Sequence, residues 1–253
     1  MSSGNEASFE RILSVSGPVT LEVGTNAGNI RIQRGDVGSV TIKGVLRARR
    51  SLFDWRGLEG RVQSLASQIP VGQTGNTIRI GDVADRWLLR GIHTQMDILV
   101  PRETALRVIG DSADFRIESI QGPVDCETDS GQIEVLDIGS AVSAASDSGA
   151  IHIRRAAGPV DARTDSGEIQ AVEIGGAVDA ETDSGSVQIT QTLQGPVNAS
   201  TDSGSISVKL APSGGYIRCV FVRIMAASIY RKCPRYGPRL RKSKAKSAAA
   251  DQS

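Results

Sequence analysis

Asp129, Asp147, Asp165 and Asp183 stand 18 residues apart, Asp202 follows after 19, and Ser-Gly comes after each of the five. If one such unit marks one coil of a stacked chain, the carboxylates line up about 5 Å apart and repel by roughly 1 kcal/mol per neighbour in water, and more where partly buried. Such a column could bind a cation, which makes Asp129, Asp147, Asp165, Asp183 and Asp202 a candidate calcium ladder. Calcium β-rolls, however, carry Gly-Gly-x-Gly-x-Asp nonads at both turns of a coil, and here the acidic motif marks only one. The favoured reading is a turn: Asp accepts backbone N–H bonds, Gly supplies a left-handed conformation, and the carboxylates face solvent.

An enzyme that cleaves polysaccharides would also place clustered Asp in a groove. Each carboxylate here recurs identically in the next coil, whereas an active site should be a local exception to a repeat. The two histidines, His93 and His152, are far apart in sequence, and His152 takes an outward position between Ile151 and Ile153. No Gly-x-Ser-x-Gly elbow, Gly-Lys-Ser/Thr phosphate loop or Cys–His pairing accompanies them. The sequence therefore predicts no catalytic residue and no cofactor. Cys126, Cys219 and Cys233 are an odd number without Cys-x-x-Cys spacing, which argues against a disulfide framework or a zinc site.

The elements that would carry the aspartates follow from the same period. Pro123–Thr128 alternates in period two, the mark of a half-buried strand. Val124, Val142, Val160, Val178 and Val197 form one inward column, and Cys126, Ala144, Ala162, Ala180 and Ala199 the next. After Ser-Gly a second strand points Ile133, Ile151, Ile169, Val187 and Ile206 inward, with Val135, Ile153, Ala171, Ile189 and Val208 two residues on. A second turn follows near Gly139, Gly158 and Gly176. A coil this thin cannot bury its apolar face alone, so the copies must stack through parallel pairing about 4.8 Å apart. Asp111-Ser112 opens the series with an imperfect coil in which Phe115 and Ile117 take the places of Ile133 and Val135.

Upstream, residues 9–45 read as strands, with Gly17-Pro18-Val19 leading to Gly28-Asn29-Ile30-Arg31-Ile32 in the manner of a coil. Thr77–Ile80 and Met96–Val100 read as further strands. Asp54 could cap a helix near 54–68, with Trp55, Leu58, Val62 and Leu65 on its apolar face and Pro70 beyond it. The fold class expected is all-β: a β-solenoid, parallel β-helix-like, of about 18 residues per coil, with one short helix in the N-terminal half.

The Gly-Pro-Val-Asp-x-x-Thr-Asp-Ser-Gly-x-Ile-x-Val unit, together with Asn76-Thr-Ile-Arg-Ile80 and the strand ending at Val100-Pro101, resembles a bacterial family of putative adhesins nicknamed toast-rack. The resemblance spans about residues 9–212. It implies a β-solenoid linked to cell envelopes and envelope-stress signalling, and it brings no catalytic residues.

Charge divides the chain. Residues 111–203 hold 17 Asp and Glu against four Arg, a local net charge of −13, whereas residues 204–253 hold 11 Lys and Arg against one Asp, a net +10. The expected organisation is a disordered N-terminus at 1–8, an N-terminal β segment at 9–110, regular coils at 111–212 and a basic, atypical tail at 213–253. Within the tail, contact with an anionic membrane or nucleic acid competes with an out-of-frame ending. The N-terminus has neither the basic start nor the apolar run of a secretory signal, and no stretch reaches a membrane span. Read literally, the chain is cytoplasmic, while the resemblance points to the envelope or surface. The function expected is a non-enzymatic, adhesin-like binding or scaffold rod that shows an acidic, Thr/Ser-rich face to a protein or glycan ligand. The alternative is an intracellular structural or envelope-stress regulatory module that stacks end to end.

Overall fold

The computed structural model describes residues 6–48, 71–81, 92–192, 195–210 and 221–224. Among these residues every regular element is a strand, so the β-solenoid is present. The helix expected near 54–68 and most of the tail expected at 213–253 lie outside the described residues.

Two strands run the length of a whole coil: β2 (Val19–Arg34) and β7 (Thr104–Ile120), paired in parallel from Val19↔Thr104 to Gln33↔Glu118. Each contributes its first half to one sheet and its second half to another. In the first sheet, β8 (Val124–Thr128), β10 (Val142–Ser146), β12 (Val160–Thr164), β14 (Val178–Ser184), β16 (Val197–Ser203) and β18 (Phe221–Ile224) follow the front half of β7, each parallel to the last. In the second sheet, β9 (Ile133–Ile138), β11 (Ile151–Ala156), β13 (Ile169–Ile174), β15 (Val187–Gln191) and β17 (Ile206–Lys209) follow its back half.

The N-terminal end is built differently. β5 (Thr77–Ile80) pairs in parallel with the front half of β2, and β4 (Val71–Thr74) runs antiparallel outside it. β6 (Ile92–Val100) pairs in parallel with the back half of β2, and β3 (Ser39–Ala48) and β1 (Glu6–Ser14) add antiparallel strands beyond it. Antiparallel strands need only short connections, whereas parallel neighbours require a crossover, which here is the other half of each coil.

The inward columns are as the period requires. Val124, Val142, Val160, Val178 and Val197 are buried, as are Cys126 and the four alanines in register with it. Opposite them lie Ile133, Ile151, Ile169 and Val187. Small side chains on one sheet thus face branched ones on the other, giving a thin interior whose layers stay well packed. Near the N-terminal end two aromatics need backbone without side chains beneath them. A Cβ on Gly44 would lie 2.1 Å from the Phe9 ring, and one on Gly110 would lie 2.9 Å from Phe115.

Two sequence readings need correction. The threonines of the repeat do not belong to the displayed face: Thr128, Thr164, Thr182 and Thr201 are buried, continuing the Val-x-Cys/Ala column inward. Each hydroxyl except that of Thr128 donates to the backbone carbonyl of a Ser-Gly glycine one coil earlier, as Thr164 does to Gly149 at 3.1 Å; Thr128 donates to Ala113 at 3.2 Å. Nor are Gly149, Gly167, Gly185 and Gly204 present for left-handed backbone, since none has positive φ. They are needed because the coils touch there: a Cβ on Gly167 would sit 2.1 Å from the Gly149 carbonyl oxygen.

Candidate functional site

The corner between the two sheets is where the aspartates lie. Backbone pairing continues through it, because the Ser148, Ser166 and Ser184 N–H groups donate to the carbonyls of Asp129, Asp147 and Asp165 at 2.8–2.9 Å. The main chain is thereby fixed in register while the side chains remain outside. All five carboxylates, Asp129, Asp147, Asp165, Asp183 and Asp202, are exposed, and none accepts a hydrogen bond or forms an ion pair among the described residues. The solvent-facing expectation holds, but the carboxylates do not accept the backbone N–H bonds expected of them; in the turn it is their main-chain carbonyls that accept.

One stretch of the corner departs from the repeat. Ala145 stands in register with Glu127 and Arg163, and Ser146 with Thr128 and Thr164. The two smaller side chains leave a shallow depression of about 130 Å³, edged by Glu127, Asp129, Asp147, Arg163 and Asp165. Ser146 is only 5% exposed, and its hydroxyl has no hydrogen-bond partner. Arg163, at its edge, pairs with Asp161 at 3.2 Å and Glu181 at 3.7 Å. This is a local exception to the repeat, and it offers carboxylates and one guanidinium.

The other side chains capable of chemistry lie elsewhere. Cys126 is in the core, where burial pushes its thiol far above the usual range and leaves it protonated. His152 is half-buried on the outer face of the second sheet, its Nδ1 3.1 Å from Gln132 Nε2. His93 is in register with Arg47 at the N-terminal end, well removed along the rod. Among the described residues no three His, Cys, Asp or Glu side chains converge as metal ligands would, and Cys219 and Cys233 are outside those residues. The corner can therefore attract cations and accept hydrogen bonds along a line, but no nucleophile–base pair meets there.

A second column escaped the sequence reading. Ser119, Asp137, Arg155 and Glu173, again 18 apart, all hold left-handed backbone with φ of 58–62°. Each bulges out of its strand by one residue, matched by the same position in the neighbouring coil so that the register is kept, and turns Ile120, Ile138, Ala156 and Ile174 inward at the end of the strand. Arg155 donates to both oxygens of Asp137 and lies 3.9 Å from Glu173. The Arg155 guanidinium, chiefly through these hydrogen bonds, holds the Asp137 carboxyl below the ordinary carboxylate range. The next coil lacks the bulge. There Gln191 turns inward and satisfies its amide on the Gly176 carbonyl at 2.8 Å.

Comparison with known proteins gives a family model and solved structures that include the two below. The family model described as Toastrack DUF4097 matches residues 11–215. A crystal structure of a putative cell adhesion protein from Clostridium sporogenes is 12% identical, with 81% of this chain and 100% of that chain covered and a TM-score of 0.39. A putative adhesin from Bacteroides fragilis is 13% identical, with 81% and 97% covered and a TM-score of 0.40. No curated protein matches.

Proposed function

Because the chain belongs to the Toastrack DUF4097 family, we propose that it is a non-enzymatic binding or scaffold rod of the bacterial cell envelope, with the aspartate corner as its recognition edge. The observation that carries this reading is the set of five exposed carboxylates, in register one per coil and without partners among the described residues. Like charges at strand spacing cost stability, so a fold has no structural reason to keep them aligned. A protein or glycan that brings Lys, Arg or hydroxyl groups to a straight edge relieves that repulsion on binding. Electrostatic complementarity of this kind sets encounter rate and orientation more than raw affinity.

The test is retention on isolated envelopes. Cells expressing the chain are fractionated beside cells expressing a variant with Asp129, Asp147, Asp165, Asp183 and Asp202 all changed to Asn. Wild type should remain with the envelope fraction and leave it at high salt, while the variant should be released at low salt. Recovery of both proteins in the cytosol alone would overturn the proposal.

A further inference from the structure

The two ends of the rod are complementary in shape. Beyond the shared strands β2 and β7, the first sheet has two strands at the N-terminal end and six at the C-terminal end, while the second sheet has three and five, among the described residues. The second sheet thus overhangs by one strand at one end, and the first by one strand at the other. Stacked head to tail, the steps fit. β17 of one copy would meet β1 of the next, and β18 would meet β4.

The edge strands agree in more than height. Through β3, β6, β2 and the alternate coils, β1 runs in the same direction as β17. The Val15 N–H donates to its register partner, the Gly38 carbonyl, at 2.9 Å. Odd-numbered residues of β1 therefore bond to β3, and the backbone groups of Ser8, Glu10 and Ile12 point to an edge that no described strand covers, where the Arg11 guanidinium donates to the Glu10 carbonyl at 3.0 Å. Toward its C-terminus this edge is sealed: the Gln73 amide donates to the Ser14 carbonyl at 2.8 Å, and Asn76 holds Ser16. On β17, the Val187 N–H bonds to the Ser205 carbonyl at 2.8 Å. This directs Ser207 toward β15 and leaves the backbone groups of Ile206 and Val208 facing outward, with no strand beyond them among the described residues.

We infer that this chain associates head to tail with further copies of itself, β17 adding in parallel to β1, with Ile206 beside Ala7 and Val208 beside Phe9. In that register four backbone bonds form: Ile206 N–H to Glu6 C=O, Ser8 N–H to Ile206 C=O, Val208 N–H to Ser8 C=O, and Glu10 N–H to Val208 C=O. Side-chain faces match as well. Ile206 and Val208, half-exposed though packed on the core, gain the neighbours that every earlier coil provides, and Ala7 and Phe9 extend the same interior. On the outer face Lys209 falls beside Glu10. A one-residue shift would put charged side chains in line with the core columns and leave the backbone groups out of phase. The contact joins two different surfaces and does not close on itself, so it produces linear assemblies.

Association can be read by light scattering of the purified full chain across a concentration series. The assay contains no other component, so its failure leaves the envelope reading standing. The mean mass should rise continuously with concentration, without levelling off at a fixed small multiple of one chain. Glu10→Lys and Lys209→Glu should each weaken association by about tenfold or more, and the double variant should restore it. Ser8→Pro, which removes an outward N–H and spares the β3 pairing, should also block assembly, with circular dichroism confirming the fold. A chain that stays monomeric throughout, or an oligomer unaffected by either charge reversal, would overturn the inference.

Discussion

Arg155 grips both oxygens of Asp137, the residue at its own position one coil earlier, and both residues have φ of 58°. Left-handed backbone costs a residue with a Cβ on the order of 1–2 kcal/mol, and Asp and Asn tolerate it better than most. The pair therefore combines a strained bulge with an ion pair that spans it.

Ser119 holds the same backbone at φ 62° and is exposed. Ser119→Asn should therefore raise stability by about 0.5–1 kcal/mol, and Ser119→Val should lower it by about 1–2 kcal/mol. Urea unfolding checks both: the midpoint should move while the slope stays unchanged. Equal midpoints for the two variants would mean the bulge stores no strain.

Asp137 also sets a pH dependence. Its carboxyl is held below the ordinary value by Arg155, so its contribution is fully present above the unfolded-state pKa of about 4 and is lost as pH falls through the lower folded value. Both partners are largely exposed, which keeps the effect small and sensitive to salt. Melting temperature between pH 5 and pH 2 should fall more steeply for wild type than for Arg155→Ala, and 1 M NaCl should narrow the difference.

Much of the interior was legible because two periods coincide: 18 residues place each coil over the last, and two residues separate inward from outward. Cys126 reads as core on that basis and is core. The bulge column was not legible, because Ser119, Arg155 and Glu173 are not residues that mark positive φ, and Asp137 is the one member of the four that tolerates it well. The threonines had the correct parity for burial, but a hydroxyl beside an aspartate suggests a surface. What allows burial is the carbonyl of the coil below, a contact that exists only once the coils are stacked. The Ser-Gly signal pointed to the correct residues for a different reason, close approach between neighbouring coils.

That difference separates two glycines by experiment. Gly167→Ala forces a methyl against the Gly149 carbonyl and should cost about 2–3 kcal/mol. Gly72→Ala in β4 meets nothing within 4 Å and should be neutral or slightly stabilising. Thermal melts of the two single variants decide the matter, since a propensity effect alone would move both alike.

Ser146 interrupts the threonine column, and its hydroxyl finds no partner in a site where Thr128 and Thr164 bond to the coil below. Ser146→Thr adds a methyl that restricts the side-chain rotamer and should let the new hydroxyl reach the Gly131 carbonyl, by analogy with Thr164 and Gly149. Repairing an unsatisfied buried hydroxyl is worth about 1 kcal/mol. If the depression beside it takes part in binding, the repaired protein should be more stable yet retained less well on envelopes. A gain in stability with unchanged retention would assign the gap at Ala145–Ser146 to neutral variation.

The aspartate ladder predicts a trade between stability and binding. Asp165 has like-charged neighbours one coil above and below, Asp147 and Asp183, and Asp165→Asn removes two repulsions of roughly 1 kcal/mol each in water before screening. The variant should melt higher than wild type at low ionic strength and converge with it near 1 M NaCl, where the Debye length falls to about 3 Å. Calcium at millimolar concentration provides the control. A cation seated between these carboxylates would raise the wild-type melting temperature and reverse the order of the two proteins, whereas a ladder kept open for an external partner leaves the order unchanged. If Asp165→Asn instead destabilises the fold at every salt concentration, the carboxylates are structural, and the recognition edge must be sought on the outer faces of the two sheets.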